Sequence, residues 1–573
     1  MKSAARITSL SLILALSQVS GCHWWDLSSD SESKSKQVEE EVTELTYYID
    51  SVAGDDNNSG LSEEAPWKTL GRFQDITSTK RINLNLKGGS RWHETLTIEK
   101  QSDVIIGPYD YTYETLPIID GSELINHWTP TGTGLYYSDI SLDEDEALGN
   151  IRENEKMMSF LAWNTDAETT FASAAAGTYA YDYALSRMYI KPETAPAENN
   201  YYVSKKLFGI SVKDSEQIII GALEIQGASL HGIQFNNCLS CGAVEVWVHD
   251  IGGAVVQGSP ELIYAGNGIE LANNSLDSAV YYSNISRVFD SCLTAQTFTS
   301  NAVIRDMTFM ENSVSECGFA GIELSVLSNG TNVGSKLDNL ILLNNNAKNI
   351  GNSWSGRRYD NEGHGLRIKA DKHAGIISTV AVYDLKISHT EGSGVFVAGE
   401  SSNVSLSEIR TDHNNEHGIA VVDPDATTLS VDIIYSKIYD NAGSGISINT
   451  PYATKVKVKS TSFYQNGSLQ LSVINAPHIL DIQNNIFESL GTGTDLYIQA
   501  PAIIESINEN CYQTHTNMIG YGEIAYSDLA SFTNASGHEA DGIAADEAFL
   551  VDPESGDFTV KEGSTCTEAG YYN

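Results

Sequence analysis

A five-residue unit, Gly-apolar-x-apolar-x, returns down the middle of the chain and constrains its fold more than any other feature. It reads Gly232-Ile-Gln-Phe-Asn, Gly268-Ile-Glu-Leu-Ala, Gly321-Ile-Glu-Leu-Ser and Gly365-Leu-Arg-Ile-Lys, then Gly394-Val-Phe-Val-Ala, Gly418-Ile-Ala-Val-Val and Gly445-Ile-Ser-Ile-Asn. Three copies lack the glycine: Cys292-Leu-Thr-Ala-Gln, Ser468-Leu-Gln-Leu-Ser and Asp495-Leu-Tyr-Ile-Gln. Most steps are roughly 23 to 29 residues, a period that marks stacked repeats; the two longer steps have room for insertions. Apolar and variable residues alternate within each unit, so it is a short half-buried strand and not a helical turn.

One such strand per coil, with two further short strands and Asn/Gly turns between, predicts an all-β solenoid: a single-stranded right-handed parallel β-helix. Side chains alternate faces along a strand, so the first and third residues after the glycine point inward and the second and fourth outward. The first outward column runs Gln234, Glu270, Thr294, Glu323, Arg367, Phe396, Ala420, Ser447, Gln470 and Tyr497. The second runs Asn236, Ala272, Gln296, Ser325, Lys369, Ala398, Val422, Asn449, Ser472 and Gln499. Charges fall only in the units that begin at 268, 321 and 365, whereas a solvated face would scatter them. This ladder is the candidate site.

The chain has 573 residues and a formal net charge of −41. That charge argues against a nucleic-acid partner, because neutralising phosphates takes Lys and Arg. It also keeps an extended exported protein soluble. Glycine and asparagine are plentiful and proline is scarce, as suits many short strands joined by turns. At the N-terminus, Lys2 and Arg6 precede an apolar stretch, Ile7 to Leu16, too short to span a membrane. It ends in Val19-Ser20-Gly21-Cys22, which resembles a bacterial lipoprotein signal and lipobox. The resemblance implies cleavage before Cys22 and lipidation of that cysteine. His23, where an inner-membrane retention signal would have Asp, points to an outer-membrane lipoprotein facing the periplasm or the cell surface.

The expected organisation is a signal peptide and lipobox over 1–22 and an acidic Ser-rich tether over 23–44. N-terminal coils with a β subdomain follow over 45–205, the regular β-helix over 206–500 and a C-terminal cap over 501–573. Six cysteines remain besides Cys22. Cys511 and Cys566 can staple the C-terminal region. Cys238, Cys241, Cys292 and Cys317 can pair or stay as buried thiols, with a four-cysteine zinc site as the less favoured alternative.

Both ends of the folded part resemble right-handed parallel β-helix enzymes of the pectate-lyase-like class. The opening Tyr47-Tyr48-Ile49-Asp50, Gly54-Asp-Asp-Asn-Asn-Ser-Gly60 and Trp67-Lys68-Thr69-Leu70 is similar to their first coil. Ala545-Asp546-Glu547-Ala548-Phe549-Leu550-Val551-Asp552 and Gly556-Asp557-Phe558-Thr559-Val560 are similar to their closing segment. The resemblance implies the fold and a polysaccharide-active protein; an anionic polysaccharide as partner is read from the basic cluster between 357 and 373. One fold hosts many reactions, so the chemistry is read from the ladder.

Five of the 34 Lys and Arg residues lie between 357 and 373, in and after the loop Trp354-Ser-Gly-Arg357-Arg358-Tyr359-Asp360-Asn-Glu362-Gly-His364. β-Elimination at a uronate needs the carboxylate neutralised by Arg or Ca²⁺, a base for the adjacent proton, and a donor to the leaving oxygen. Lys369 or His364 can be the base and Arg367 the neutraliser, while Glu270 and Glu323 are the only candidate Ca²⁺ ligands. Trp354, Tyr359, Arg357, Arg358 and Gln296 are candidate substrate contacts. The leading expectation is therefore a polysaccharide lyase, acting as a monomer tethered to the membrane by its lipid. The competing enzyme is a glycoside hydrolase using Glu270, Asp290 and Glu323 on three consecutive coils. The third alternative is a surface lipoprotein that binds glycan without catalysis.

Overall fold

The computed structural model describes residues 44–571 apart from 132–133, 164–170, 172, 183–184, 197–198, 257–262, 329, 331, 355–358, 361, 423–428, 451–453, 468, 476–478, 490–492 and 500–502. From Leu45 onward the chain is one compact unit. It is a parallel β-helix. Each regular coil gives one strand to each of three ladders. Two ladders make up a 27-stranded sheet and the third a 14-stranded sheet.

The five-residue unit is the first strand of each coil. Ile233 pairs with Ile269, Ile269 with Leu293, Leu293 with Ile322, Ile322 with Leu366 and Leu366 with Val395. The same unit occurs one coil earlier, in Gly209 to Lys213, where Ser211 pairs with Gln234. All these inward positions are buried in one apolar core running from Ile49 to Phe532. The glycine slot is a corner where the chain passes close to the coil below. A Cβ on Gly365 would lie 2.3 Å from Ile387 Cγ2 and 2.7 Å from the Gly394 carbonyl.

One copy is phased differently from the expectation. Ser447 pairs with Ser472 and Ile446 with Leu471, so Gln470 occupies the glycine slot and Ser472 the first outward column. The reason is local: Leu469, Leu471 and Val473 alternate with polar residues, and an alternating run fits the ladder equally well after a two-residue slip.

Asparagines stack at the inner corners, where each side chain serves the next coil. Asn414 Nδ2 donates to Asn441 Oδ1 at 2.7 Å and Asn441 Nδ2 to Asn466 Oδ1 at 2.8 Å. Asn485 likewise donates to Asn510, and Asn510 to Glu539. Cys238 bonds to Cys241, Cys292 to Cys317 and Cys511 to Cys566. The thiols that a zinc site would need are thus used in disulfides.

Two additions depart from the coil. Between Asp120 and Phe208 the chain builds a four-stranded sheet (Ser122–Ile125, Ile151–Glu153, Lys156–Met157, Tyr201–Ser204) and a five-stranded sheet with its own core. This subdomain is attached through Asn150, which donates to the carbonyls of Asp250 and Gly252, and through buried Arg152, which binds Asp120 and Ser122. At the other end coiling continues through Ile519–Tyr521, and the helix Leu529–Ser536 then closes the core with Phe532. The tail packs Phe549, Leu550 and Phe558 over Tyr439 and Tyr464 of the third ladder. No helix among the described residues is long and apolar enough to cross a membrane. Cys22 and all of the tether but Glu44 lie outside the described residues.

Candidate active site

The strand register stacks Gln234, Glu270, Thr294, Glu323, Arg367 and Phe396 in one outward column on six successive coils. Gln296, Ser325 and Lys369 stand beside it in the second column. Glu270 and Glu323 are two strands apart, about 10 Å between backbones. The column is outward but not solvated: Glu270 is 0 % exposed, and Glu323 and Arg367 are 4 % exposed.

Glu323 is held from three sides. Its Oε2 accepts from Ser291 Oγ at 2.7 Å, and its Oε1 accepts from Ser325 Oγ at 2.7 Å and Arg367 Nη1 at 3.0 Å. Burial pushes its carboxyl above the ordinary value; Arg367 opposes this, and the charge of Asp290 adds to it. A like charge nearby and a dry setting together favour a protonated carboxyl at Glu323.

Arg367 is committed on both sides. Its Nε donates to Glu362 Oε2 at 3.0 Å while Nη1 serves Glu323 and Ser325, and its guanidinium lies 4.9 Å from the Phe319 ring centre. Glu270 accepts from Asn267 Nδ2 at 3.1 Å and from the amides of Gln234 and Gln296, and His231 Nε2 lies 3.4 Å away. Both its oxygens therefore face N–H donors, which compete with a cation for the same lone pairs. Among the described residues no group of three or more His, Cys, Asp or Glu is arranged to hold a metal ion.

His364 is placed by a recurring backbone contact. Its Nδ1 accepts the Ser393 N–H at 2.9 Å, so the ring proton sits on Nε2, which faces Glu362 Oε2 at 3.5 Å. His231 accepts the Asn267 N–H and His417 the Ser444 N–H in the same way. All three histidines directly precede a slot glycine and tie one coil to the next. That leaves His364 with no lone pair for a base. Lys369 Nζ is 3.2 Å from Asp371 Oδ1, and its side chain is 34 % exposed.

Asp290 stands in the turn before the strand Leu293–Thr297, where its carbonyl accepts the Phe319 N–H. Of the candidate substrate contacts, Trp354 turns toward the subdomain, against Tyr179 and Phe289. Tyr359 packs edge-on against Phe319 and is 50 % exposed. Arg357 and Arg358 lie outside the described residues. The site also uses His231, Asn267, Ser291, Phe319 and Glu362, which the outward columns do not contain. The repeated His-Gly dipeptide at 231, 364 and 417 is the signal that could have found the histidine position.

The sequence matches no described protein family and no curated protein. Among solved structures the chain is similar to XylC in complex with xylose, at 10% identity, covering 92% of this chain and 94% of that one with a TM-score of 0.51. It is also similar to a glycoside hydrolase, at 11% identity over 87% of this chain and 99% of that one, with a TM-score of 0.43. A lacto-N-biosidase of Eubacterium ramulus, GH136, matches at 12% identity over 84% and 68% of the two chains, with a TM-score of 0.41. At such identities the likeness to XylC shows the fold alone, and the two weaker ones carry no argument about this chain.

Proposed function

We propose that the protein is an exported polysaccharide-degrading enzyme that hydrolyses a glycosidic bond with paired carboxyl groups. Glu323 is the general acid and Asp290 its partner, acting as base or nucleophile. The observation that carries this reading is the buried Glu323 carboxyl, raised by its setting and next to a second carboxylate. Two carboxyl groups in unlike environments divide acid and base roles between them. Arg367 and Glu270 hold the ladder in shape, and the lipid on Cys22 keeps the enzyme at the envelope.

Elimination has less support. Its base would be Lys369, which is near Asp371, or His364, whose Nδ1 is occupied; its neutraliser would be Arg367, which already serves two carboxyl groups. The test is a set of neutral and acidic polysaccharides incubated with the purified protein, with and without Ca²⁺. Both new reducing ends and the ultraviolet absorbance of unsaturated uronates are followed. Hydrolysis gives reducing ends without absorbance, and Glu323→Gln and Asp290→Asn each lower it by about 100-fold or more. Absorbance rising with the reducing ends, and lost in Lys369→Ala, would replace this reading with elimination. Glycan binding without either signal would make the protein a binding lipoprotein.

A further inference from the structure

Resting on the paired-carboxyl reading, we infer that the site takes a neutral glycosyl unit and not a uronate, with Thr294 pairing to a sugar hydroxyl and Tyr359 giving the ring a face to lie on. Charge is the first ground. Around Glu323 gather the carboxyl groups of Asp290, Glu362 and, along the column, Glu270. The guanidinium of Arg367 is already shared between Glu323 and Glu362, and the ammonium of Lys369 is beside Asp371. A uronate carboxylate entering here must either draw Arg367 or Lys369 from its present partners or sit among carboxyl groups with no cation to spare, and both disfavour it.

Thr294 is the second ground. It stands in the ladder between Glu270 and Glu323, is 0 % exposed, and its Oγ1 has no hydrogen-bond partner among the described residues. A buried hydroxyl left without a partner is costly, and it can both give and accept a hydrogen bond. A sugar hydroxyl is the chemical match. Gln296, Ser325 and Ser291 line the same stretch with neutral polar groups. The third ground is the half-exposed Tyr359 on Phe319, whose ring also carries the Arg367 guanidinium. An aromatic face beside neutral donors suits a pyranose.

The experiment measures calorimetric binding of neutral and uronate oligosaccharides of equal length to Glu323→Gln, and product release from the same sugars by the unaltered protein. Neutral oligosaccharides are expected to bind about tenfold or more tightly than their uronate counterparts. Thr294→Val should weaken that binding about tenfold while leaving Tm unchanged or higher, because the lost hydroxyl has no protein partner to lose. Tyr359→Ala should raise KM with little change in kcat. Uronates bound as tightly as neutral sugars would overturn the inference, all the more so if that binding vanished in the Arg357→Ala, Arg358→Ala double variant. So would a Thr294→Val that lowers Tm and binds normally. The two readings fail separately. Uronates hydrolysed without unsaturated products would sink the inference and leave paired-carboxyl hydrolysis standing. Neutral sugars bound preferentially but never cleaved would do the reverse.

Discussion

At the residue scale the central feature is one guanidinium shared by two carboxyl groups in a dry column. Removing Arg367 takes the buried cation from Glu362 and a hydrogen-bond donor from Glu323, so Arg367→Ala should cost about 3–5 kcal/mol in urea unfolding. Glu323 gives a pH signature. Its carboxyl is raised in the folded state, so the native protein holds a proton there over a window in which the unfolded chain has lost it. Stability from this group is therefore greatest below the ordinary carboxyl value, and it falls as pH rises to the raised one. Glu323→Gln should flatten that segment of the Tm-against-pH curve. In the same window the activity of the unaltered enzyme should decline with rising pH as the acid is lost. His364 behaves differently: Asn can accept the Ser393 N–H as Nδ1 does, so His364→Asn should keep activity within about threefold. His364→Leu, which strands a buried donor, should cost about 1–3 kcal/mol.

The strand unit explains how much of this was legible in the sequence. Its period of two fixes which residues share a column, so Glu270, Thr294, Glu323 and Arg367 align from the sequence alone. The glycine fixes the phase where it occurs: at Gly365 a Cβ would press on Ile387 and the Gly394 carbonyl. Gly365→Ala should therefore destabilise by about 1–3 kcal/mol in denaturant unfolding. Where the glycine is missing the phase can slip, as it did at Gln470, whose own side chain accepts from Asn466 Nδ2. The burial of the ladder was not legible. An alternating pattern tells in from out, but not whether the outer side is then covered by other parts of the chain. Nor does spacing in a loop report contacts across coils: Glu362 meets Arg367, and Ser291 meets Glu323, only because the coils stack.

For the whole molecule, the solenoid accounts for both the stability and the placing of the site. Each coil leans on its neighbours, so breaking a staple should be felt along the stack. The Cys292–Cys317 bond joins two parts of one coil just beside Glu323, and replacing both cysteines by Ala should cost about 2–4 kcal/mol in urea unfolding. The subdomain and the loop at Trp354 meet through Tyr179 and Phe289 next to Asp290, which brings a second body of structure up to one end of the ladder. Two ends that resemble a lyase class thus enclose a middle whose carboxyl groups carry the proposal of hydrolysis.

The most direct measurement is the fate of solvent oxygen, read by mass spectrometry on oligosaccharides cleaved in water enriched in heavy oxygen. Hydrolysis through Glu323 and Asp290 predicts one solvent oxygen in every product pair quenched before anomeric exchange, and about 100-fold less of it from Glu323→Gln. Unlabelled products carrying a new double bond would contradict the account.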